Sequence, residues 1–154
     1  MKPHSDQALD LADDSWIAIY SCYRDPALPS RRLIAKSKEP GSTAFDIPLS
    51  HDSVVAFSLD TNRRFTHTLA LRANAPATDW LGITFRTSKT FVRIVDGQPC
   101  FSSGSPLTLA DEEQRREFFR LRRRENDEID FVYPALSYTI SDGDLLPPAP
   151  SGTP

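Results

Sequence analysis

The chain of 154 residues holds only three histidines, His4, His51 and His67, and the first stands two residues from a carboxylate in the triplet His4-Ser5-Asp6. In an extended segment, residues i and i+2 project to the same side. His4 and Asp6 therefore aim an imidazole nitrogen and a carboxylate oxygen at one point. A third ligand from a distant strand would complete a set of two histidines and one carboxylate. Such a set holds Fe(II) on one face and leaves the opposite face open to a cosubstrate and oxygen. His67 is the natural third ligand, because it lies in the alternating segment FTHTLALR, residues 65–72. Taken singly, the triplet also reads as a solvated N-terminus, and His67 as a hydrogen-bonded histidine of a sheet. His51, beside Asp52, reads as a surface turn residue rather than a ligand.

The elements that must position these residues read mostly as strands. WIAIYSCY (16–23), RRLIAK (31–36), AFDIPL (44–49), SVVAFSL (53–59), FTHTLALR (65–72), WLGITFR (80–86) and TFVRIV (90–95) are rich in β-branched and aromatic residues and are separated by turn chemistry. DTNRR (60–64) reads as a turn or loop, and DGQP (96–99) as a hairpin turn. The spacings are too short for crossover helices, so the architecture should be antiparallel, a sandwich or barrel. One helix is expected from Leu109 to about Asn126, with Thr108 as its cap. DFVYP and LSYTIS (136–141) read as short strands beyond it.

Composition sets outer limits. Apolar residues make up 39% and charged residues 25%, as in ordinary globular domains, and the formal net charge is -3. A uniformly basic nucleic-acid coat is thereby excluded, though a local basic patch is not. No apolar run is long enough to cross a bilayer. Residues 1–15 are polar and acidic, so no signal peptide is expected. Cys22 and Cys100 read as free thiols of a cytoplasmic protein.

From Lys2 to about Lys89 the chain resembles the Fe(II)/2-oxoglutarate dioxygenases of the AlkB type. Four blocks carry the likeness in order: HSDQALDLADDSWIAIYSCYRDP, RRLIAKSKE, IPLSHDSVVAFSLDTNRRFTH and WLGITFRTSK. The first is similar to the family's metal segment and the third to the strand leading to its second metal histidine. The fourth is similar to its closing strand with a Thr-Phe-Arg ending. The resemblance implies a mainly β protein, a double-stranded β-helix (jelly-roll), here with one added helix. It implies that His4, Asp6 and His67 bind Fe(II), and that Arg86 pairs with a carboxylate of the cosubstrate 2-oxoglutarate. A planar, permanently charged guanidinium suits that task. The implied reaction couples decarboxylation of 2-oxoglutarate to hydroxylation of a C–H bond by molecular oxygen. An N-methyl group so treated leaves as formaldehyde. By analogy the substrate is an alkylated base in nucleic acid. The alternatives are the same chemistry on a protein or small molecule, and a non-catalytic β-sandwich fragment or binding module.

Two departures stand out. The family's closing strand carries a second, earlier arginine, where this sequence has Trp80; no arginine lies between Arg72 and Arg86. The family's Asn-x-Tyr strand and substrate lid, which precede the metal triplet, have no counterpart before His4. The expected division is a dioxygenase-like domain over residues 1–146, with an AlkB-like core at 1–89 and an extra hairpin and helix at 90–146. A disordered Pro-rich tail is expected at 147–154. Arg63 and Arg64 stand just before His67, where they would meet an anionic substrate or, equally, form a charged turn. The run RLRRRE in the helix invites a phosphate-binding reading, against which acidic residues flank it on both sides.

Overall fold

Residues 2–75 and 78–147 are described by the structure, a computed structural model. Their contacts divide the chain into two compact units, residues 1–89 with 122–132, and residues 90–121 with 133–154. The boundary falls inside a helix, so the last turns of that helix belong with the first unit.

The first unit contains β1 (Trp16–Tyr23), β2 (Arg31–Ser37), β3 (Ala44–Leu49), β4 (Ser53–Ser58), α1 (Leu59–Arg64), β5 (Phe65–Leu71) and β6 (Trp80–Phe85). They form two three-stranded antiparallel sheets, ordered β4-β1-β6 and β3-β2-β5. The mainly β, antiparallel reading of the sequence is what folds, and neither sheet closes on itself. Alternation explains the layering. Ile17, Ile19, Ser21 and Tyr23 of β1 are buried while Trp16 stands 61% exposed. One core cluster joins Ile19, Leu33 and Leu49, with Ile47, Val55, Phe57, Leu69 and Trp80 packed around it. It draws on both sheets, and each such side chain contributes about 1.5–3 kcal/mol when fully buried. A second cluster of Ala8, Leu11, Ile17 and Leu59 fastens the N-terminal segment beside β1 and α1. Among the described residues, no strand pairs with the outer edge of β6.

Three local expectations are corrected. Residues 60–64 are not a loop but most of α1, capped by Ser58, whose Oγ accepts the Thr61 N–H at 3.2 Å. Asp60 in the first turn and Arg63 and Arg64 in the last suit the helix dipole. The long helix, α2, runs Glu112–Asp127 rather than from Leu109. Its cap is the reciprocal pair Asp111 and Gln114, each side chain accepting the other's backbone N–H at 2.8 and 3.0 Å. Thr108 is drawn away because Thr108–Leu109 pairs with Tyr138–Thr139 in a two-residue parallel ladder. That ladder is all that forms of the expected strands near 136–141, and DFVYP has no strand pairing.

The second unit holds β7 (Val92–Val95) and β8 (Gln98–Phe101), then β9 (Thr108–Leu109), the first turns of α2, and β10 (Tyr138–Thr139). Asp96 and Gly97 between β7 and β8 both have positive φ, 49° and 81°, which is the tight hairpin turn an Asp-Gly pair favours. Leu107, Ala110, Phe118 and Leu121 are its buried apolar residues. No helix among the described residues is long and apolar enough to cross a membrane. From residue 148 on, the Pro-rich tail lies outside the described residues.

Candidate metal centre

The N-terminal segment meets β5 at a single antiparallel bridge between His4 and His67. His4 N–H donates to His67 O at 3.0 Å and His67 N–H to His4 O at 2.8 Å. Directly opposed residues of this kind start from Cα atoms about 5.5 Å apart and send their side chains to the same face. The imidazole centroids accordingly lie 4.8 Å apart. Asp6, two residues on, points to that face too. Its Oδ1 lies 3.4 Å from His67 Nε2 and 3.9 Å from His4 Nε2. Ligand atoms from all three residues lie within 4.8 Å of one another. Cis ligands around an octahedral ion with bonds of about 2.1 Å are roughly 3 Å apart, so the triad must draw together for all three to bind one ion.

Polar side chains, more than ladder bonds, hold the segment in place. Asn62 of α1 clamps the Asp6 backbone: its Oδ1 accepts the Asp6 N–H and its Nδ2 donates to Asp6 O, both at 2.8 Å. Ser5 N–H donates to Asn126 Oδ1 at 2.8 Å, and Ser5 Oγ to Phe65 O at 2.9 Å. Ala8 N–H donates to Glu125 Oε1 at 2.7 Å. Asn62 and Glu125 are each only 2% exposed.

The electrostatics suit a cation. His4 Nδ1 lies 3.0 Å from Lys2 O. A carbonyl only accepts, so Nδ1 carries a proton, and in the neutral ring Nε2 presents its lone pair toward Asp6. This is the outer hydrogen bond that fixes a ligating histidine's tautomer. Arg86, just past β6, donates from Nε and Nη2 to Asp6 Oδ2 at 2.9 and 2.7 Å. Oδ1 is left toward the two imidazoles. Burial pushes the Asp6 carboxyl up, but hydrogen bonds from His67 and Arg86 outweigh it and hold the group at about 2; His67 Nε2 thus faces Asp6 Oδ1 as a donor, and its proton would have to leave or move to Nδ1 for that nitrogen to take an ion. An ionised carboxylate and two imidazole nitrogens are the donors a divalent first-row metal takes. The residues present therefore fit such an ion. Beside them a cavity of about 430 Å³ is lined by His4, Asp6, Gln7, Asp10, Arg86 and Arg122.

A second His/Cys/Asp group, Cys22, His51 and Asp52, has similar spacing but the opposite tautomer logic. His51 Nδ1 accepts the Tyr23 N–H at 3.0 Å, so its Nε2 carries the proton, 3.3 Å from Asp52 Oδ2. No lone pair is left for a metal. Asp52 also accepts the Tyr20 hydroxyl at 2.5 Å, which pushes that phenol up to about 12.

The structure thus brings together His4, Asp6, His67 and Arg86. Arg86, from which a 2-oxoglutarate contact was expected, is bonded here to Asp6. Arg63 pairs with Asp13 and Asp60, at 3.1 and 3.2 Å, and Arg64 with Asp130 at 3.3 Å. The arginines that line the cavity are Arg86 and Arg122 instead. Sequence reasoning missed Asn62, Arg122, Glu125 and Asn126. Arg122 and Glu125 sit in the run RLRRRE, read as a solvated or phosphate-binding helix face, with Asn126 just after it, and only an uncommonly buried glutamate would have set them apart. No family model matches the chain, and no curated protein matches it.

Proposed function

We propose that this chain is an Fe(II)- and 2-oxoglutarate-dependent dioxygenase of the AlkB type, with its two packed sheets forming a double-stranded β-helix. The observation that carries the reading is the convergence of His4, Asp6 and His67 beside a cavity, with His4 Nε2 and Asp6 Oδ1 both turned inward. Fe(II), when bound, would supply the oxidative chemistry that turns 2-oxoglutarate into succinate and hydroxylates or demethylates a substrate. The chain's own residues do the rest. His4 Nε2, Asp6 Oδ1 and His67 would hold the ion on one face. Arg86 occupies Asp6 Oδ2, which keeps the carboxylate to one ligand atom. Asn62 fixes the backbone from which that carboxylate projects. The proposed substrate is an alkylated nucleic-acid base, on the strength of the family likeness. A protein or small-molecule substrate is favoured instead by the pairing of the basic side chains: Arg63, Arg64, Arg120, Arg122 and Arg124 each meet a carboxylate.

The test is anaerobic titration with Fe(II) and then 2-oxoglutarate, following the weak visible band of the chelated complex. The band is expected in the wild type and lost, with iron binding, in His67→Ala, whose β circular dichroism persists. Iron bound without the band would make the chain a non-catalytic module. A salt-dependent gel shift with a methylated oligonucleotide then separates the substrates: affinity independent of salt would rule nucleic acid out.

A further inference from the structure

We infer that the outer face of the β4-β1-β6 sheet is the surface through which this chain pairs with a second copy of itself. Phe57, which meets the His67 ring at 5.6 Å, points inward from β4 toward the metal centre. The opposite face of the sheet therefore stands apart from the proposed function. Residues paired across strands share a face. Val54, Tyr20 and Ile83 make one outward row, and Ala56, Ala18 and Phe85 the next. Ser58 beside Trp16 closes one end, and Cys22 beside Leu81 the other. None of these side chains is charged. The other sheet differs: its outward side chains include Arg32, Lys36, Asp46, Thr66 and Thr68, which suit water. On the uncharged face, Trp16, Val54, Leu81, Ile83 and Phe85 are between 39% and 61% exposed.

At roughly 150–250 Å² for each large side chain, these five leave on the order of 500 Å² of apolar surface bare, at the upper end of what a monomer exposes. Two copies set face to face would bury about 1,000 Å² from these side chains alone, the size at which a specific interface begins. The face is also ready to be dried. Its two hydroxyls are already engaged: Tyr20 donates to Asp52 Oδ1 at 2.5 Å, and Ser58 Oγ accepts the Thr61 N–H at 3.2 Å. Covering them leaves neither without a partner, so the usual penalty for a buried polar group is avoided. A twofold contact sets a surface against itself, so any charge in it would meet its own image. Ala18 and Ala56 are small beside Trp16 and Phe85, which lets large side chains of one copy pack against small ones of the other, as in stacked sheets about 10 Å apart. A face without cations suits neither a nucleic acid nor an anionic membrane.

The test is sedimentation velocity of the full metal-free chain over a concentration series reaching about 100 μM, well above the micromolar dissociation constants at the weak end of standard interfaces. A reversible dimer is expected. Val54→Lys should raise its dissociation constant at least about 100-fold, because symmetry places two unpaired charges in one dry contact. Leu81→Lys should do the same and serves if circular dichroism shows that Val54→Lys fails to fold. Thr68→Lys, on the outward face of the other sheet, should leave the constant within about threefold of wild type, as for an ordinary surface change. Alkylation with iodoacetamide gives a second reading of the two free thiols. Cys22, within the face, should label more slowly as the protein is concentrated, and Cys100, outside it, should not. A wild type that stays monomeric would overturn the inference, and flotation of that monomer with phosphatidylcholine vesicles would give the face to a lipid surface instead. A dimer that survives both lysine variants, or whose Cys22 labels at an unchanged rate, would place the contact elsewhere and overturn it equally.

Discussion

Replacing Asn62 with alanine should damage the site twice over, through stability and through metal affinity. The side chain spans the Asp6 peptide groups with two hydrogen bonds of 2.8 Å. Its amide orientation is fixed by chemistry, because the Asp6 N–H must face the oxygen. Alanine strands one buried donor and one buried acceptor. Each costs about 1–3 kcal/mol when left without a partner, so a loss of about 2–6 kcal/mol is expected. Against a typical total of about 5–15 kcal/mol, a loss in the lower half of that range leaves the variant folded at low temperature. Urea unfolding of the metal-free protein reads this as a lower midpoint with an unchanged slope. Metal affinity, measured on the folded variant, should fall about 10- to 100-fold, as when a ligand loses its outer-shell support. Asn62→Asp sharpens the test. It keeps volume and the acceptor for the Asp6 N–H, but it turns an oxygen toward Asp6 O. It should do at least as much harm as alanine. If Asn62→Ala lost stability yet bound metal within about twofold of wild type, well below an outer-shell effect, Asn62 would be core packing and not a support of the site.

Two further outcomes follow from the same contacts. Asp6 is held at about 2 against an ordinary 3.8, so its contribution to stability is present above pH 3.8 and is lost as pH falls through about 2. Arg86→Gln should raise that value and flatten the slope of stability against pH across this acid window, as read by urea unfolding of metal-free protein at stepped pH. Lys38→Met should cost about 2–3 kcal/mol by the same assay, because three charge-assisted bonds disappear at helix ends. The Lys38 ammonium donates to Arg63 O, Glu125 O and Glu128 O at 2.6, 2.5 and 3.1 Å.

The strands were the legible part of this chain because alternation and turn residues are local signals. Residues 16–23, 44–49 and 65–71 all form strands where the pattern placed them. Short or competing elements were not legible. Six residues of α1 give too few turns for a helical period to show. Thr108 satisfies the rules for a cap, yet its backbone is claimed by a partner some thirty residues away, in a ladder with residues 138–139. The same division runs through the site. His4 and Asp6 share a face by strand geometry alone, and His67 was reachable as the histidine of the matching strand. The bonds from Asn62 to Asp6 and from Glu125 to Ala8 span 56 and 117 positions. No local rule carries such information, and a buried glutamate within an arginine-rich run looks like any other solvated charge.

These long-range bonds bear on how the site forms. The N-terminal segment held only by a ladder would be a frayed edge, since His4 is the one residue of it, among the described residues, that exchanges backbone bonds with β5. Instead Ser5, Asp6 and Ala8 take their partners from α1 and from the last turns of α2, and Lys38 ties the ends of both helices together. The triad therefore takes shape only when both helices are in place. A metal that binds this arrangement and not the unfolded chain stabilises the helices along with the ligands, in proportion to RT ln(1 + [metal]/Kd). Hydrogen exchange should accordingly slow at Asn62 and at the C-terminal turn of α2 when metal is added, although neither supplies a ligand. Protection confined to residues near His4 and His67 would mean that the helices form independently of the site.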